Sequence, residues 1–167
     1  MKIIKGLKDL MEAQLRDIID AENRVGEALP AFILMASDQR LKWIIDEYQK
    51  KNNSHITRLR QVFRALKQKD TGVKCKAIHS MLLTSNDLIE RTENPTVKDA
   101  VVITGLQHII HYQVAGYGAI TNYANTLDLN EVALLTYKNL DEKKATDRKL
   151  AELADEVINI KAKNLKS

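Results

Sequence analysis

The chain has 167 residues, a formal net charge of +4, 44% hydrophobic and 29% charged residues, and only 6 glycines and 2 prolines. That length suits one domain over residues 1–167 with a continuous core, and the scarcity of chain breakers permits long helices. A single cysteine, Cys75, excludes an internal disulfide, and no apolar run approaches membrane-spanning length.

The segment Met1–Leu10 alternates lysine with apolar residues and lacks the apolar centre of a signal peptide, so a cytoplasmic location is expected. The first helix is predicted over Ile4–Met35, with an apolar stripe at Met11, Leu15, Ile18, Val25, Leu29 and Phe32. Its one missing place, midway between Leu15 and Leu29, is Glu22. Pro30 predicts a kink or an end nearby. Ser37 reads as the N-cap of a second helix over Gln39–Lys67. There the stripe runs Leu41, Ile45, Tyr48, Asn52, His55, Leu59, Val62 and Leu66.

Lys69–Gly72 is a break, followed by a short helix over Lys74–Arg91. Asn94-Pro95-Thr96 is the next break, with Asn94 or Thr96 as cap. A third long helix is expected over Val97–Thr126, a turn at Asp128–Asn130, and a fourth long helix over Glu131–Lys163. The last stripe reads Leu135, Asn139, Glu142, Thr146, Leu150, Leu153 and Val157. Two helical hairpins joined by one long crossover is the connectivity of a ferritin-like four-helix bundle, here with a short helix in the crossover.

Glu22 and Glu142 break their stripes as core-facing carboxylates, which are costly unless paired or bound to metal. A bundle dimetal site takes a Glu from each of two helices and a Glu-x-x-His from each of the other two. Here the second helix offers Asn52-x-x-His55, and the third offers Ile110, His111 and Gln113 with no carboxylate. His108 and His111, at i and i+3, carry little metal signal. Tyr112, Tyr117 and Tyr123 read as packing with hydroxyls that need partners. Lys74 and Lys76 beside Cys75 would lower its pKa, yet no base or resolving cysteine accompanies it. The basic residues, including the tail Lys161, Lys163 and Lys166, form no aromatic-interleaved patch, so nucleic acid is not an expected partner.

Four strings together resemble the YciE/YciF-type ferritin-like bacterial stress proteins: Asp17-Ile-Ile-Asp-Ala-Glu22 with Ala28-Leu-Pro30, Lys74-Cys75-Lys-Ala77, His111-Tyr112-Gln-Val-Ala115-Gly-Tyr117-Gly118, and Leu140-Asp-Glu142-Lys-Lys-Ala-Thr-Asp147. They span about residues 5 to 160. The resemblance implies a helical, often dimeric, stress-linked protein with a dimetal site suspected in its core. Carried over position by position, Glu22, His111 and Asp147 are kept, while Tyr48, Lys51, Ile110, Gln113 and Lys143 depart from the pattern. The resulting metal set is Glu22, His55, His111, Glu142 and Asp147. The expectation is a degenerate site without cofactor in a non-enzymatic homodimer, with Lys51 or Lys143 reaching Glu22 or Glu142 as internal counter-ion. The alternative is a metal-binding or redox protein holding iron or manganese with this reduced set.

Overall fold

Residues 3–164, which the computed structural model describes, are all-helical, with no strand among them. Met1, Lys2 and Lys166 lie outside the described residues. The helices are α1 (Leu7–Met35), α2 (Gln39–Ala65), α3 (Lys76–Glu90), α4 (Pro95–Thr126), α5 (Asn130–Leu153) and α6 (Asn159–Lys163), the last two joined by a π turn at Ala154–Ile158. Helix α1 packs on α2 and α4, and α5 packs on α2 and α4, so the four long helices close a ring around one core. The crossover helix α3 lies outside the ring against α4 and α1. Ser85 of α3 sits against Gly105 of α4, where a Cβ would collide with the serine hydroxyl. Among the described residues no helix is long and apolar enough to cross a membrane.

The predicted elements are present, with four corrections. Helix α1 starts at Leu7 rather than Ile4, and it ends where expected, at Met35, one turn past Pro30. Pro30 lies on the exposed face, where water can satisfy the carbonyl it leaves unpaired. The cap of α2 is Asp38, whose Oδ1 accepts from Arg40 N at 2.9 Å, and not Ser37. Ser37 instead is held by Asp99 of α4, which is 1% exposed. Asp99 Oδ1 accepts from Ser37 N at 2.6 Å, and Oδ2 accepts from Ser37 Oγ at 2.5 Å and from Asp38 N at 3.0 Å. Helix α2 ends two residues early, at Ala65. Lys67 turns left-handed (φ 53°) and Gln68 N reaches back to Phe63 O at 2.9 Å, which closes the helix end. Asp128 (φ 58°) does the same for α4, with Leu129 N on Ala124 O at 2.9 Å. Finally, the π turn inserts one residue, so Ile158 rather than Val157 points inward.

The crossover is tied down by α1. Arg16 Nη1 donates to Thr71 O at 2.8 Å and Thr71 Oγ1 at 2.7 Å, and Nη2 donates to Gln68 Oε1 at 2.9 Å. Cys75 N donates to Asp20 Oδ2 at 2.8 Å. Cys75 itself is 0% exposed, its sulfur beside Asp17 and Tyr112. Burial pushes the thiol pKa up, the reverse of what flanking Lys74 and Lys76 suggested. This is an inert packing thiol.

Candidate functional site

The ring encloses a polar centre built from one face of each long helix. Glu22 (α1) and Lys143 (α5) are both 0% exposed, with Nζ 2.8 Å from Oε2. Lys143 Nζ also donates to Tyr48 OH (α2) at 3.0 Å and to Gln113 Oε1 (α4) at 2.8 Å. Tyr48 OH in turn donates a hydrogen bond to Gln113 Oε1 at 2.8 Å. Glu22 is filled from the other side by Asn52 Nδ2 at 2.6 Å and Tyr117 OH at 2.7 Å. Burial pushes the Lys143 pKa down, and the Glu22 carboxylate in contact works against that shift. Burial, then the charge of Glu22, pushes both Tyr48 and Tyr117 far above the usual phenol range, so both stay protonated donors.

A second carboxylate lies at the rim. Glu142 is 24% exposed and is gripped by Arg58, with Nη2 on Oε1 at 2.7 Å and Nη1 on Oε2 at 2.9 Å. His55 links rim to centre, with Nε2 3.0 Å from Glu142 Oε2 and Nδ1 3.6 Å from Glu22 Oε1. The separation at Nδ1 leaves that nitrogen without a hydrogen bond, as are Asn52 Oδ1 and Gln113 Nε2. Asn139 donates to Tyr117 OH at 3.1 Å and accepts from Arg58 Nη1 at 2.8 Å, which closes the network.

His55 is flanked by two carboxylates, yet burial and then the charges of Lys143, Arg58 and Lys51 hold its pKa far below the ordinary 6.5. The folded protein therefore binds fewer protons here than the unfolded chain once pH falls below 6.5, and stability falls with pH. The expected slope is up to about 1.4 kcal/mol per pH unit below 6.5 from this group. Urea denaturation of wild type and His55→Gln across pH 7.5 to roughly 4.5 checks it, since the substitution removes that limb.

Gly26 is the site's one backbone requirement. A Cβ there would sit 2.5 Å from Asn52 Oδ1. Glycine to alanine in a helix ordinarily gains about 1 kcal/mol. Displacing Asn52 from a buried carboxylate costs about 1.5–3 kcal/mol. Gly26→Ala is thus expected to destabilise, by about 1 kcal/mol net, in thermal or urea unfolding. A more stable variant would show that Asn52 moves aside freely.

The structure brings together only part of the predicted set. Glu22, His55 and Glu142 form one chain of contacts. His111 is elsewhere, its side chain 67% exposed and its Nε2 2.9 Å from Asp147 Oδ2, a surface pair. On α5 the expected stripe holds at Asn139, Thr146, Leu150 and Leu153 and slips by one residue at two places, where Thr136 and Lys143 are buried in place of Leu135 and Glu142. Lys143, with Thr136, Asn139, Thr146 and Leu150, faces the core, and Glu142 stands at its edge. Of the two candidate counter-ions, Lys143 reaches Glu22, whereas Lys51 pairs with neither glutamate. Sequence reasoning missed Arg58, whose only signal was its place three residues after His55. The partner that the Tyr117 hydroxyl was expected to need is Glu22, while Tyr48 and Gln113 were given only as departures from a pattern.

These donors do not fit two metal ions. A fixed ammonium stands where a cation would meet Glu22, and the oxygens nearest to it on Tyr48 and Gln113 are neutral. Asn52 presents its amide N–H, not its oxygen, to the carboxylate. Among the described residues no group of three or more His, Cys, Asp or Glu side chains is arranged to hold an ion. A cavity of about 530 Å³ opens away from this centre, lined by residues such as Glu12, Asp17, Val73 and Tyr112.

The profile of a domain of unknown function, DUF892, matches residues 6–163. Protein YciF of Escherichia coli strain K12 is 32% identical over 162 residues, 96% of this chain and 98% of its own length. The crystal structure of that organism's stress protein YciF superposes with a TM-score of 0.88 at 30% identity, covering 93% of this chain and 99% of that one. YcfI of Rhodopseudomonas palustris, described as a candidate structural protein, superposes with a TM-score of 0.88 at 32% identity, covering 90% of this chain and 96% of that one.

Proposed function

The chain belongs to the DUF892 family, and from that premise we propose that it is a ferritin-like four-helix-bundle stress protein of the YciF type, with a degenerate dimetal centre and a non-enzymatic, structural or interaction role. The observation that carries this reading is Lys143. Its ammonium is fully buried at the meeting point of the four long helices and in contact with Glu22. Oxygen or peroxide chemistry needs an ion with open positions. A tethered cation that already contacts three acceptors offers none. The closed helical ring with an outer crossover helix supports the bundle assignment. Cytoplasmic residence and a homodimer complete the proposal.

The test is turnover. Protein supplied anaerobically with iron(II) or manganese(II), then given oxygen or peroxide, is expected to consume neither above the rate of the metal alone. Light scattering should give twice the chain mass. Catalysed peroxide loss would reverse the non-enzymatic reading.

The second reading, a metal-binding or redox protein, has one observation in its favour. The unpartnered Nδ1 of His55 faces Glu22 within the core. It requires Lys143 to leave, because the ammonium and a transition metal would compete for the same carboxylate. His111 and Asp147 would contribute to it only by abandoning their surface pair.

A further inference from the structure

Three oxygens from three helices converge on Lys143 Nζ: Glu22 Oε2 at 2.8 Å, Gln113 Oε1 at 2.8 Å and Tyr48 OH at 3.0 Å. An ammonium has three protons, and here each has one acceptor. The four side chains are each no more than 1% exposed, so the site is closed to bulk solvent. The acceptors carry one formal negative charge between them. Glu142, which could add a second, is turned to Arg58 and His55 instead. One carboxylate and two neutral oxygens suit a singly charged, hydrogen-bonding cation, whereas divalent ions call for more anionic ligands or more open water positions.

We infer that the centre is a primary-ammonium site that the chain fills with its own side chain. This rests on the degenerate-centre reading above and deepens it, by assigning a ligand chemistry to what stands in place of metal. Lys143 supplies the cation that Glu22 requires, and its covalent tether prevents exchange. The acceptors are held by contacts that do not depend on the lysine: Glu22 by Asn52 and Tyr117, and Gln113 by Tyr48. The site should therefore outlast removal of the side chain and accept a free alkylammonium of the same shape.

Lys143→Ala removes three carbons and the nitrogen, the outline of n-propylammonium. The experiment compares thermal unfolding of wild type and Lys143→Ala in n-propylammonium chloride, tetramethylammonium chloride and n-propanol, the salts at matched ionic strength. The variant is expected to lose roughly 10 °C in Tm. At least half of that loss should return saturably with n-propylammonium, with no matching gain in wild type and none from the other two additives. If the variant does not fold alone, recovery of its helical circular dichroism in n-propylammonium is the same result. No recovery, or equal recovery with tetramethylammonium or n-propanol, overturns the inference. So does a larger gain with manganese(II) than with n-propylammonium. Catalysed peroxide loss by the wild type would contradict the proposed function without altering this outcome.

Discussion

Lys143→Met is expected to destabilise the fold by about 3–5 kcal/mol, because it leaves a buried carboxylate without its cation. The loss is not one of packing. Methionine nearly matches the volume of the lysine stem, and a volume-conserving swap alone costs less than about 1.5 kcal/mol. The damage falls on Glu22, which is 0% exposed and keeps only Asn52 and Tyr117 as close donors. Removing the charge from both partners should therefore undo much of it. The double variant Glu22→Gln/Lys143→Met is expected to be more stable than Lys143→Met alone, since neutral replacement of a buried pair is often close to neutral overall. Urea denaturation of the wild type, both single variants and the double variant measures the coupling. Additive effects would mean that the two side chains are not an ion pair in solution.

Asp99→Ala should have the second largest effect, about 3 kcal/mol. Asp99 is buried on α4 and accepts hydrogen bonds from two backbone N–H groups and one hydroxyl of the turn between α1 and α2. Hydrogen bonds to a charged acceptor contribute about 1.5–3 kcal/mol each, and orphaned donors add a desolvation cost. Water can reach part of the turn, since Ser37 is exposed, and this keeps the total below the sum of the three. Asp99→Asn retains one carbonyl acceptor and should recover about half of the loss. If thermal unfolding of Asp99→Ala matched wild type, the carboxylate would not be what fastens that turn to α4.

The helices and their order were legible because long amphipathic segments between turn residues leave few alternatives. Glu22 was legible too, since a lone carboxylate in an apolar stripe stands out. The phase of the last helix was harder. Glu142 and Lys143 are neighbours on α5, a helical step of about 100° apart, and either could have faced inward. A carboxylate looked like the more familiar core ligand, yet the stripe Thr136, Asn139, Lys143, Thr146, Leu150 fits the core as well. The π turn at Ala154–Ile158 was hidden for a related reason. One inserted residue shifts the pattern from Val157 to Ile158, and both are apolar.

Partners distant in sequence explain the rest. Nothing around Asp99 hints that its ligands are Ser37 and Asp38, more than 60 positions away. Arg58 looked like one more cation on a wet helix face until α5 brought Glu142 to it. His111 and Asp147 matched a family pattern in sequence, but both stand at the outer edges of their helices and find only each other and Gln107. The site was thus readable as a set of suspects. Which of them met depended on helix rotation, which one-dimensional periodicity fixes only to within a residue.

The central claim is that an ammonium tethered to α5 holds the place that a metal would need. Metal content tests it most directly. Wild-type protein incubated anaerobically with excess iron(II) or manganese(II) and passed through a desalting column should retain far less than one ion per chain by elemental analysis. Near-stoichiometric metal that survives the column would contradict the claim, because Lys143 would have had to leave Glu22 to admit it.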